Sequence, residues 1–214
     1  GGLYSSTATI SVLARKSRKA SEQEATDYVA AMLLAVSMMF LRFMILILIF
    51  SREIFLSIYP YLLTMAVVAA IVAWFIHSRQ KRSNDQPVEE EEDDSSNPLE
   101  FKVALIFAVL FVIFTFLTHY TLVYAGTGGL NLLSFVSGFS DITPFILNLL
   151  QNTGSVAALI ITACSMQAII SNIMVNMFYA LFFAGKGSKL RPWILGGFGV
   201  VIACNLVLLL FFYI

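Results

Sequence analysis

The sequence predicts an all-α fold, a polytopic bundle of transmembrane helices, on three observations. Hydrophobic residues make up 59% of the 214 residues and charged residues 12%, with a mean hydropathy of +0.85. Globular domains carry about 25% charged residues. The charges are also clustered, which leaves runs longer than the roughly 20 apolar residues needed to cross a bilayer core. Buried helices of a soluble protein are excluded because too little polar surface remains to cover them. Segments 28–50, 54–76, 103–124, 155–184 and 193–214 read as uninterrupted crossings. Segment 130–151 reads as an interrupted one, giving about six full spans in a single membrane domain over residues 1–214.

Each element has a local reason. Residues 1–20 open on Gly-Gly, run on as STATISVLA and end in Arg15, Lys16, Arg18 and Lys19. That is too short to span and reads as an N-terminal half-helix, the visible part of a longer protein. Ser21 and Glu24 form a capping box for the next helix, with Ser at the cap and Glu three residues on. That helix contains one charge, Arg42. Ser51-Arg52-Glu53 is a polar turn. Residues 78–98 hold a basic cluster (Arg79, Lys81, Arg82) and an acidic run (89–94). They cannot bury apolar area, so a solvated, disordered connector is expected. Asn97 and Pro98 suit the cap and first position of the following helix. AGTGG (125–129) is a glycine turn. GKGSKLRP (185–192) is a basic loop before the last helix.

Segment 130–151 contains SGFSDITPF. Gly138 and Pro144 interrupt it, so a broken helix is expected, with Ser140, Asp141 or Thr143 capping a half-helix whose first turn accommodates Pro144. Non-helical backbone at membrane depth is tolerated only where protein or a watery cavity covers it. As a single crossing, this segment puts the basic residues 186–191 opposite the other basic clusters, against the positive-inside tendency. A re-entrant form, entering and leaving on one face, removes that conflict. GGLYSSTATISVLARK also aligns with SGFSDITPFILNLLQN, with Gly2 on Gly138, Ser5 on Asp141 and Thr7 on Thr143. The alignment suggests an internal repeat, and broken helices at corresponding places of a repeat point to a transporter's binding site.

The candidate site follows from polar residues at membrane depth. A charge at the bilayer centre costs about 2.5–3.5 kcal/mol even on the lenient insertion scale. Arg42 and Asp141 therefore need partners, and the simplest arrangement pairs them directly. Asn172 and Asn176 lie one turn apart on one helical face, with Gln167 and Ser165 near the same stripe. Such a stripe is also consistent with interhelical hydrogen bonding alone. Ser5 and Ser6 are the candidate caps in the first copy, where the second has Asp141. Cys164 and Cys204 are small packing residues. Net charge is zero, so charge gives no reason to expect nucleic acid as a partner. HExxH, GxSxG, CxxC and P-loop patterns are absent from the sequence, so no enzymatic activity and no cofactor is expected.

The opening GGLYSSTATISVLARKSR, the stretch NPLEFKVALIFAVLF, the SGFSD motif and SNIMVN before a Gly-Lys loop resemble one family along the whole chain. It is the bacterial membrane domain of unknown function associated with MgtC/SapB-type proteins. The resemblance implies a multi-pass protein of the bacterial inner membrane, with an MgtC-type N-terminal membrane domain as a partner alongside the lipid bilayer. Where the family typically has lysine this chain has Asn176, so no second buried cation is implied. The expected function is handling of a small ion or solute. Asp141 would be the coordinating or protonatable group, Arg42 its counter-charge, Asn172 and Asn176 neutral ligands, and Ser5, Ser6, Ser140 and Thr143 helix-end polar groups. The alternative is a non-transporting membrane regulator whose polar centre is structural.

Because the charged connector cannot bury apolar surface, deleting residues 84–96 should leave membrane insertion and the detergent melting temperature unchanged. A drop in folded yield would show that the loop has a structural partner.

Overall fold

In the computed structural model, residues 6–18, 22–79, 98–151, 156–185, 188 and 190–213 are described. They form helices α1 (Ser6–Ser17), α2 (Glu22–Phe50), α3 (Arg52–Ser78), α4 (Pro98–Ser137), α5 (Ile142–Gln151), α6 (Ala158–Ala184) and α7 (Arg191–Tyr213). No strand occurs among the described residues. Five segments are long and apolar enough to cross a membrane: Thr26–Phe50, Arg52–Ser78, Ala108–Gly126, Ala158–Ala184 and Arg191–Phe211. Ser5, Ser21, Asn97 and most of the charged connector lie outside the described residues. The Ser51 turn is as expected, its hydroxyl accepting a hydrogen bond from the Ile54 amide at 3.4 Å.

The glycine turn is narrower than AGTGG suggests. Only Gly126 leaves helical geometry, at φ 57° and ψ −147°, where a side chain would be strained. It bends α4 into a spanning limb, ending near Gly126, and a short second limb, Gly128–Ser137. The second limb and α5 are each 10 residues long, about 15 Å, half a bilayer core.

Their direction follows from the contacts with α6. Cys164 reaches Asn131, Ser134 reaches Gln167, Ser171 reaches Phe135, and Asn172 reaches Gly138 and Ser140. Residue numbers rise together, so the second limb of α4 runs parallel to α6. The break at 138–141 therefore lies opposite Asn172, midway along α6. The chain must then return to Ala158, about 21 Å back along the α6 axis. Were α5 to continue onward, residues 152–157 would have to bridge about 36 Å, beyond their reach of about 25 Å. So α5 turns back, and 130–151 is a re-entrant hairpin rather than the single crossing. Asn148 bonds Thr115 at 2.8 Å and Phe114 packs on Phe145, tying α5 to the spanning limb of α4.

The half-helix α1 approaches from the other side. Its first residues lie near Tyr179, while Arg15 stands 4.4 Å from the Phe183 ring and Arg18 lies beside Gly185. It thus runs from mid-depth to the face where α6 ends. Among the described residues, that face, the Arg15 face, carries Arg15, Lys16, Arg18, Arg79 and Arg191, the opposite Ser51 face carries Arg52, and Arg42 lies between. The hairpin removes the charge conflict of the single crossing.

The repeat has a structural counterpart. Helices of 12, 29 and 27 residues (α1 to α3) correspond to helices of 10, 27 and 23 residues (α5 to α7). When Ser5 is aligned with Asp141, α1 starts with α5 and α2 starts with α6. The first set begins toward the Arg15 face and the second toward the Ser51 face, so the two sets are inverted.

Labelling of single cysteines in a cysteine-free background tests this path. Thr127→Cys and Asn152→Cys should react with an impermeant reagent from one side, and Ser188→Cys from the other. Labelling of residues 127 and 152 from opposite sides would restore the crossing.

Candidate functional site

The amide ends of α1 and α5 approach from opposite faces and meet at a cavity of about 360 Å³. Ser6, Thr7 and Ser11 of α1 line it together with Gly138, Phe139 and Ser140 of the break and Asp141 at the head of α5. Arg42 enters from α2, and Asn172 and Tyr179 from α6.

The break is built by three devices. Its carbonyls are satisfied from α6: Asn172 Nδ2 donates to Gly138 O at 3.1 Å and to Ser140 O at 3.4 Å. Gly138 permits this approach, since a Cβ there would stand 2.7 Å from the Asn172 amide nitrogen and collide with Ser171. Asp141 caps α5, with Oδ1 accepting from Thr143 N at 2.9 Å and from Thr143 Oγ1 at 2.7 Å. The Ser140 hydroxyl donates to Ser137 O at 3.1 Å.

Arg42 and Asp141 face the same space, but their direct pairing is not observed. Arg42 Nη2 donates to Thr143 Oγ1 at 3.1 Å, so the threonine hydroxyl relays one charge to the other. The guanidinium carbon also stands 5.1 Å from the Phe43 ring centroid, within cation–π range. Asp141 and Ser140 are exposed at the break.

Of the residues expected from the sequence, Arg42, Ser6, Ser140, Asp141 and Asn172 line the cavity. Thr143 sits behind Asp141 as the relay. Asn176 is fully buried, does not line the cavity, and donates to Asn172 Oδ1 at 3.1 Å. Its own Oδ1 is buried without a hydrogen-bond partner. Ser5 falls outside the described residues. Sequence reasoning missed Tyr179 and Ser11. Tyr179 continues the Asn172–Asn176 stripe at helical spacing, and Ser11 follows Thr7 by one turn, bonding its carbonyl at 2.8 Å. No group of three or more His, Cys, Asp or Glu positioned for a metal occurs among the described residues.

The family model titled "Domain of unknown function (DUF4010)" matches residues 1–184. This chain belongs to the DUF4010 family. It is also 25% identical over 211 residues to an uncharacterized protein of Aquifex aeolicus (strain VF5), covering 98% of this chain and 90% of that one. No solved structure matches it significantly. The DUF4010 match takes in α1 to α6, and so includes every residue that lines the cavity.

If Asn172 holds the break open, Asn172→Leu should cost about 1–3 kcal/mol by stranding two carbonyls. Gly138→Ala should cost a similar ~1–3 kcal/mol by overpacking against α6. Asn176→Leu should cost less than Asn172→Leu. Detergent melting curves check the order, and a larger loss at Asn176 would shift the structural role to that residue.

Proposed function

We propose that this DUF4010 protein moves a small ion or solute across the membrane through the cavity between α1 and α5. The observation that carries the reading is the meeting of two half-helix amide ends, from opposite faces and from the two sets of an inverted repeat, at one polar cavity near mid-depth. Discontinuous helices in that arrangement are how many secondary transporters build their binding sites. The reading assigns the protein no chemical step.

The excess of basic residues on the Arg15 face supports a cytoplasmic location for that side. The resemblance of the GGLYSST and SGFSD motifs to those of MgtC/SapB-associated proteins supports a bacterial inner-membrane setting and an MgtC-type membrane domain as a partner. A second reading, a regulator whose polar centre only fixes helix packing, is favoured by the Asn172 and Thr143 hydrogen bonds, which serve the protein's own backbone and side chains.

Asp141→Asn separates the two. Asparagine caps a helix as well as aspartate does, so the fold is kept while the charge is lost. Stopped-flow swelling of proteoliposomes in isosmotic potassium salts with valinomycin, and in small neutral solutes, reports permeation whichever of these solutes is carried. Wild type should swell faster than protein-free liposomes, and Asp141→Asn should slow that at least about tenfold, equivalent to ~1.4 kcal/mol on the barrier, with little change in melting temperature. Swelling no faster than protein-free liposomes in every solute would leave the regulator reading.

A further inference from the structure

We infer that the cavity binds a small oxyanion, a carboxylate or an inorganic oxyanion, held by Arg42 and the Ser6 and Tyr179 hydroxyls beside the head of α1. The inference rests on the proposed transport reading and specifies its substrate class.

Two helix amide ends point into the cavity, each equivalent to about half a positive charge. Asp141 is committed to one of them, because its Oδ1 takes both the amide and the hydroxyl of Thr143 at the head of α5. The first turn of α1 contains no acidic residue. Arg42, a cavity-lining residue, adds a full positive charge. The two helix ends together roughly offset the carboxylate, so Arg42 leaves the cavity with a positive field. That field opposes a free cation and favours an anion.

A second observation points to a ligand. Ser6 is 5% exposed and lines the cavity, yet its hydroxyl makes no hydrogen bond with the described residues. That hydroxyl opens on the cavity, where a bound group can meet it. The hydroxyls of Thr7 and Tyr179, also on the cavity wall, are likewise without a hydrogen bond from the described residues. Hydroxyl donors beside a guanidinium suit the several acceptor oxygens of an oxyanion. A volume of about 360 Å³ corresponds to the space of roughly a dozen waters, enough for a small partly hydrated anion.

The test measures binding, so that it does not depend on flux. The full chain is purified in detergent in sodium lactobionate, whose anion is bulky, and melting is followed as acetate, phosphate or chloride replaces it at constant ionic strength. Acetate or phosphate should raise the melting temperature saturably, and the two arms tell a carboxylate site from an inorganic oxyanion site. The shift should persist when choline replaces sodium. Arg42→Gln should abolish it and Arg42→Lys should keep part of it. Ser6→Val and Tyr179→Phe, which leave the Arg42 relay intact, should each weaken the apparent affinity about tenfold, as loss of one hydrogen bond to a charged group does. A shift produced by chloride alone, a shift that follows the cation, no shift with any anion, or an equal shift in Ser6→Val, Tyr179→Phe and wild type would overturn the inference. Saturable oxyanion binding without permeation would overturn the transport reading alone. Permeation of cations without an anion-dependent shift would overturn this inference and leave transport standing.

Discussion

The side-chain amide of Asn172 crosses the gap between α6 and the re-entrant hairpin and donates to the carbonyls of Gly138 and Ser140. Those carbonyls lie at the end of a helix that stops halfway through an apolar bundle, where unmet backbone groups cost several kcal/mol each. With both held by one side chain, the hairpin can turn at mid-depth. The turn in turn sets the direction of α5, the side on which α6 begins, and hence the face to which Arg191 belongs. Gly138 is part of the same constraint, because only a residue without Cβ lets the break sit against the α6 backbone.

That geometry explains why α6 is the most enclosed of the spans. Of its spanning window 67% is buried, compared with 28% for the window of α7. It receives the second limb of α4 through Cys164, Gln167, Ser171 and Asn172, and α1 through the region of Tyr179 and Phe183. A helix that serves two discontinuous partners needs polar side chains along its length, and its stripe of Gln, Ser and Asn supplies them. The same stripe is both packing and cavity wall, so for Asn172 the structural and functional readings describe one residue with two neighbours.

Much of this was legible in the sequence. The spans follow from runs of apolar residues, and the break follows from Gly138 and Pro144. The Asp141 cap follows from an acid directly before a helical run. Charge asymmetry already favoured a hairpin over a crossing, but hydropathy alone is the same for both, since a largely apolar segment of 22 residues reads alike whether it turns back or continues. Two opposite charges at membrane depth are reason enough to expect Arg42 and Asp141 in one space. Their relay through Thr143 was not legible, because a bond between residues 101 positions apart depends on how α2 and α5 are rotated, not on periodicity. Asn176 was read as a ligand because spacing places it on the face of Asn172. Periodicity gives the face of a helix, not which of two neighbours on it reaches the open space.

The spanning limb of α4 stands apart from the rest. Only 11% of its spanning window is buried. Its position follows from parity. The first helix set ends on the Arg15 face, and an inverted second set must start from the Ser51 face. One additional traverse is needed between them, as an odd number of passes is needed to finish on the far bank of a river. α4 supplies that pass, which requires length and oiliness but little close packing. The bend at Gly126 then delivers the chain into the hairpin. A helix employed for its count rather than its contacts is free to lie at the lipid boundary, and that is where its exposed row of Val109, Val112, Phe116, Tyr120 and Val123 leaves it.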